Sequence, residues 1–132
     1  MIHIKIFESF TEETITLYHG TSVFSASLLC ENGWIPSSYG MGANGGQSRY
    51  LYLTSMEEDA LWFAEEKGES SIVVIEDIPI SYLIFDPEDG DYDREVYGTV
   101  VNAVAAIKNG LTHPIKLTLT KPLGASHFEL KY

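Results

Sequence analysis

The amino-acid sequence predicts an α+β fold, and three observations carry that prediction. Short apolar runs and alternations suited to strands recur along the 132 residues. Three segments with helical spacing interrupt them, with capping residues or glycines at their bounds. The helical segments sit mostly in the first half and middle of the chain, which places it in the α+β class.

Residues 2–7 alternate like a strand. Ile15-Thr16-Leu17-Tyr18 reads as a second strand that ends at His19-Gly20. Ser22 is placed to cap a helix over residues 23–32, with Val23, Ala26 and Cys30 on one face and Gly33 as its stop. Residues 34–49 read as a long loop carrying Gly40, Gly42, Gly45 and Gly46. Tyr50 to Thr54 is the next strand.

Ser55-Met56-Glu57-Glu58 fits a capping box. Glu57, Glu58 and Asp59 suit the positive end of the helix dipole. Met56, Ala60, Phe63 and Ala64 form the apolar stripe of that helix, and Gly68 would end it. Ile72-Val73-Val74-Ile75 is a continuous apolar run, as in a central strand. Tyr82-Leu83-Ile84-Phe85 reads as another strand, closed by Asp86-Pro87, and the acidic stretch 86–94 reads as exposed. Val96, Val100, Ala103, Val104 and Ile107 have the spacing of one helix, terminated by Asn109-Gly110. Ile115, Leu117 and Leu119 alternate with Lys116, Thr118 and Thr120, which predicts a half-buried strand. Lys121 to Ser126 then turns the chain into a last strand from His127 to Tyr132.

The length favours one domain spanning residues 1–132, large enough to bury a core without staples. A hydrophobic content of 45% is that of a globular chain rather than a disordered one. No apolar run approaches the length of a membrane span, and the N-terminus alternates instead of forming a signal-peptide core. The single cysteine, Cys30, lies in an apolar helical pattern, which predicts a packed thiol rather than a nucleophile. A reducing cytoplasm is the expected compartment. The net charge of −11 disfavours a broad grip on nucleic-acid phosphates, leaves room for a small basic patch, and would suit either plain solubility or an acidic decoy for a basic groove.

The richest stretch for chemistry runs from Leu17 to Ala64. A strand there delivers His19, followed by Gly20, Thr21 and Ser22. A later strand delivers Tyr50 and Tyr52, two apart and therefore on one face. A histidine and a tyrosine brought in on separate strands can frame a small aromatic ligand such as nicotinamide. His19 can hydrogen-bond a hydroxyl or can tie down its own turn. The Tyr52 ring can stack on a ligand or pack in the core. Gly20 lets another group approach its backbone closely. Trp62 and Phe63 suit core packing, and Arg49 suits an ordinary surface position. No G-x-x-x-x-G-K loop is present, and His3, His113 and His127 lack metal-ligand spacing.

In order and local wording, Leu17 to Ala64 resembles the ADP-ribosyltransferase family, in its poly(ADP-ribose) polymerase and diphtheria-toxin branch. The resemblance implies two packed, mostly antiparallel sheets with flanking helices and an NAD cleft between them. It implies that NAD is the substrate, and that ADP-ribose passes to a macromolecular acceptor, protein or nucleic acid, or to water. His19 would bind the adenosine ribose and Gly20, beside Thr21, the nicotinamide amide. Tyr52 would stack on the ring, Trp62 or Phe63 would close it from behind, and Arg49 would pair with the pyrophosphate. The branch also needs a glutamate that accepts from the nicotinamide ribose and stabilises the oxocarbenium-like centre. Glu129, at the start of the last apolar alternation, is the expected residue, with Glu76 and Glu95 as rivals. An RNA 2′-phosphotransferase shares fold and NAD, but has a histidine at the place of Tyr52 and needs basic groups. A non-enzymatic acidic binding protein on the same fold would be marked by a missing or misdirected Glu129.

Overall fold

A computed structural model describes residues 12–36, 50–66 and 71–131. Within them the strands are β1 (Thr14–Thr21), β2 (Leu51–Thr54), β3 (Ser71–Pro79), β4 (Leu83–Phe85), β5 (Lys116–Leu119) and β6 (Phe128–Leu130). They form one six-stranded sheet in the order β4-β5-β2-β1-β3-β6, with all neighbours antiparallel. Four helices accompany it: α1 (Val23–Asn32), α2 (Glu57–Glu66), α3 (Asp91–Tyr97) and α4 (Val100–Lys108). The α+β class is as expected, but the two packed sheets are replaced here by one sheet. The expected strand at residues 2–7, the glycines 40–46, Arg49 and the stop at Gly68 lie outside the described residues.

That sheet is nearly divided. β1 and β3 stay in register from Thr14 opposite Pro79 to Thr21 opposite Ser71, with one irregularity between Ile15 and Leu17. β1 and β2 meet at the single pair Tyr18 and Thr54. The division leaves a three-stranded block on each side, β4-β5-β2 and β1-β3-β6.

Strand alternation sorts the side chains into two faces. Leu17, Val73, Ile75, Leu51, Leu53, Leu117, Leu119, Leu83, Phe85 and Phe128 share one face, and all are buried in one apolar cluster. Ala26 and Leu29 of α1 and Ala103 and Val104 of α4 join that cluster. On the other face, α2 lies directly on β1. A Cβ at Gly20 would sit 1.9 Å from the Ala60 carbonyl oxygen, so only glycine permits this approach.

Several local expectations hold. Ser22 caps α1 by accepting from the Ser25 N–H, and Gly33 ends it at φ 74°. β3 is interior to the sheet, with Ile72, Val73 and Ile75 fully buried. Others are corrected. Ser55 stands two residues before α2, and both groups a capping box would use are engaged with Ile115: its hydroxyl accepts from the Ile115 N–H at 2.8 Å and its N–H donates to the Ile115 carbonyl at 3.1 Å. The single helix expected through Val96 and Val100 is two, broken at Gly98 (φ 77°), with Thr99 capping the second through the Asn102 N–H. Val96 is left exposed. Trp34, read as the start of a loop, is almost fully buried and exchanges two backbone hydrogen bonds with Leu123 at 2.9 Å each. The acidic stretch is not uniformly exposed, since Asp86 and Asp93 are buried.

Candidate functional site

β1 carries His19 to the point where the sheet divides. The imidazole is 8% exposed, and its Nδ1 lies 2.7 Å from the backbone oxygen of Tyr52 on β2. A carbonyl only accepts, so Nδ1 carries the proton and donates. In the neutral ring Nε2 is then the acceptor nitrogen, and it is buried. The side chain thus spans the gap where the strand ladder stops, and holds Tyr52 at a fixed offset from β1. Gly20 follows, beneath Ala60, and Thr21 is buried where β1 meets β3. The structure therefore supplies a packing reason for Gly20 besides any contact with a ligand.

The Tyr52 side chain stands on the face opposite the main core and is 39% exposed. Its nearest cross-strand neighbour is Thr118, followed by Ile84 on β4. Thr118 was expected on an open strand face, yet it is fully buried and its Oγ1 has no hydrogen-bond partner among the described residues. One register step along, Lys116 lies opposite Thr54. The Lys116 ammonium sits 4.9 Å from the centre of the Phe63 ring and 3.8 Å from Asp89. Its backbone is also fixed on both sides: its N–H donates to Asp93, and its carbonyl accepts from the Asp86 N–H.

The turn after β4 completes this patch. The Asp86 carboxylate accepts from the Glu88 and Asp89 N–H groups at 2.8 and 3.2 Å, closing an Asx turn. Gly90 packs so tightly that a Cβ would meet the Asp86 carbonyl oxygen at 2.4 Å. The turn's charge reaches the tyrosine. Burial, then Glu88, Asp86 and Tyr50, push the Tyr52 phenol above its ordinary value.

The remaining expected residues lie elsewhere or act differently. Phe63 is half-buried beneath Lys116, while Trp62 is exposed and meets Phe63 edge-on at 5.3 Å. Neither is in the main core. Arg49 falls outside the described residues. Glu129 lies on β6, the outermost of the described strands, opposite Val74, whereas His19 lies opposite Val73. Glu129 and His19 thus stand on opposite faces of the sheet, two strands apart. Tyr52 is three strands from Glu129, about 14 Å at ordinary strand spacing. The expected convergence of His19, Tyr52 and Glu129 on one cleft is therefore not observed. Register is the physical reason: His19 shares the core face with Phe128, whereas Tyr52 and Glu129 share the other face but stand three strands apart. Of the rivals, Glu76 is exposed on β3, and Glu95 is exposed inside α3.

Lys116, Thr118 and the turn of Asp86 to Asp89 are the residues that sequence reasoning did not assign to the site. Their signal appears only when β5 is paired between β2 and β4. That pairing places the polar half of the β5 alternation on the Tyr52 face. An exposed aromatic ring beside carboxylates suits a flat cationic ligand, which the pyridinium of NAD is. The ring and the acidic turn suit that group, whereas Glu129 is three strands away and the imidazole stands on the other face, bonded to the Tyr52 backbone. No helix among the described residues is long and apolar enough to cross a membrane. No family model matches the chain, and no curated protein matches it.

Proposed function

We propose that this protein is an NAD-dependent ADP-ribosyltransferase, which cleaves the nicotinamide glycosidic bond and passes ADP-ribose to a macromolecular acceptor. The observation that carries the reading is the meeting of His19 and Tyr52 at the division between β1 and β2. Two residues 33 apart in sequence are tied by one hydrogen bond at the place where the two half-sheets separate. The His19 imidazole shares the core face with Leu17 and Val73 and holds the Tyr52 strand through its backbone, while a dinucleotide on the other face would reach the Tyr52 ring with its nicotinamide. The acidic turn favours the cationic, oxidised form of the ring.

The test is the purified protein incubated with NAD labelled in the adenosine half and a cell extract. A labelled product removed by protease or by nuclease is the expected result, and names the acceptor class. Calorimetric titration with NAD runs beside it. Absence of both binding and labelling would overturn the reading.

A second reading is a non-enzymatic acidic binding protein. The displacement of Glu129 from the site favours it, because ground-state binding needs no catalytic carboxylate. NAD binding without any release of nicotinamide would select it.

A further inference from the structure

We propose that Glu88 supplies the carboxylate of this site, acting on the nicotinamide ribose beside Tyr52 in the role expected of Glu129. The inference rests on the ADP-ribosyl transfer reading above.

Position comes first. The order β4-β5-β2 places the end of β4 two strands from Tyr52, roughly 10 Å at ordinary strand spacing. One ribose and one glutamate side chain together fill such a gap. The turn reaches back across β5, because Asp89 approaches the Lys116 ammonium at 3.8 Å, and Lys116 sits beside Tyr52's own row.

The three carboxylates of the turn are not equivalent. Asp86 is buried and spent on two backbone N–H groups. Asp89 pairs with Lys116. Glu88 is exposed, and its backbone N–H is pinned by Asp86, so the residue is held in place while its carboxylate stays available. Among the charged groups that act on the Tyr52 phenol, Glu88 comes first.

A second observation points independently to a ligand here. Thr118, directly opposite Tyr52, buries a hydroxyl with no hydrogen-bond partner among the described residues. Such a group is costly unless something satisfies it, and a ligand hydroxyl or amide on this face could do so.

The step balances with NAD and water alone. The bond between C1′ and the pyridinium nitrogen breaks, and its electron pair leaves with neutral nicotinamide. Positive charge grows on C1′ and its ring oxygen, where the Glu88 carboxylate opposes it and accepts from the 2′-hydroxyl. A water lone pair forms the new C1′–O bond, and the released proton passes to solvent. A macromolecular nucleophile takes the place of water in transfer.

The test compares wild type with Glu88→Gln and Glu129→Gln by nicotinamide release, NAD calorimetry and alkaline titration of Tyr52, with Tyr52→Phe as the blank. Glu88→Gln should lose at least about a hundredfold in turnover. Its NAD affinity should stay within about threefold, and Tyr52 should ionise at lower pH than in wild type. Glu129→Gln should match wild type in all three. An active wild type with Glu88→Gln equally active would overturn the inference and leave the transferase reading standing. An unmoved Tyr52 titration in Glu88→Gln would overturn the placement of Glu88 even if turnover fell. A wild type that neither binds NAD nor releases nicotinamide would remove the reading and the inference together.

Discussion

One face of the sheet is lined by Leu17, Leu51, Leu53, Val73, Ile75, Leu117 and Leu119 and closed by α1, α4 and Trp34. The other carries Tyr18, Tyr52, Thr54, Lys116 and Thr118, with α2 pressed onto Gly20. The first face is sealed by apolar volume, with His19 and Thr21 as the buried polar residues that β1 contributes to it. The second is held by close approach and by specific polar contacts: Ser55 to Ile115, Asp93 to Lys116, and Lys116 over Phe63. Stability should therefore concentrate on the first face, and ligand chemistry on the second. Each substitution below is chosen to break or sharpen that contrast.

The largest effect should come from Trp34→Ala. Trp34 is the largest fully buried side chain, and its loss would leave a cavity under the Leu123 bridge. The expected cost is about 3–5 kcal/mol, read from chemical denaturation. Next comes Gly20→Ala. The added methyl would lie against the Ala60 carbonyl, so α2 must shift or lift, at about 1–3 kcal/mol. If Gly20 matters only through ligand contact, the variant should instead melt like wild type. Ser22→Ala removes the α1 cap and should cost about 1 kcal/mol.

These sites also show what was legible in the sequence. Ser22 and Gly33 were readable because capping chemistry is local. The Ile72–Ile75 strand was readable because a continuous apolar run signals burial on both faces. Trp34 was not, because its partner Leu123 is 89 residues away and one bridge leaves no periodic trace. The α3–α4 break was hidden by an apolar spacing that continues across Gly98-Thr99, although the glycine and the capping threonine were both visible.

The site divides the same way. His19 and Tyr52 were identified from local wording, and a hydrogen bond joins them. Glu129 opens a late strand in the sequence pattern, but opening a strand does not fix which face a residue takes. The pairing of Phe128 with Ile75 fixes it, and that register is a tertiary fact. Lys116 and Thr118 looked like the solvent half of an alternation. Only the insertion of β5 between β2 and β4 turns that half toward Tyr52.

Tyr52 itself should separate the two faces most cleanly. Tyr52→Ala should change stability by less than about 1 kcal/mol, because the side chain is 39% exposed and outside the main cluster. The same change should weaken NAD binding by about 1–2 kcal/mol, the scale of a lost aromatic contact. A large stability loss without a binding loss would move Tyr52 into the core.

The smallest expected effect is a pH dependence. The folded Tyr52 phenol ionises above its ordinary value, because burial and then the Glu88 and Asp86 charges oppose the phenolate. The folded state therefore holds this proton more tightly than the unfolded chain does. The stability gained is fully present below the ordinary tyrosine value of about 10, and is lost as pH rises through the raised value. Tyr52→Phe cannot ionise, so its stability should fall less steeply than that of wild type above pH about 10. Thermal melts of the two proteins across that range measure the difference. Superimposable alkaline profiles would show that the folded protein does not oppose the phenolate, and would remove the acidic turn from the surroundings of Tyr52.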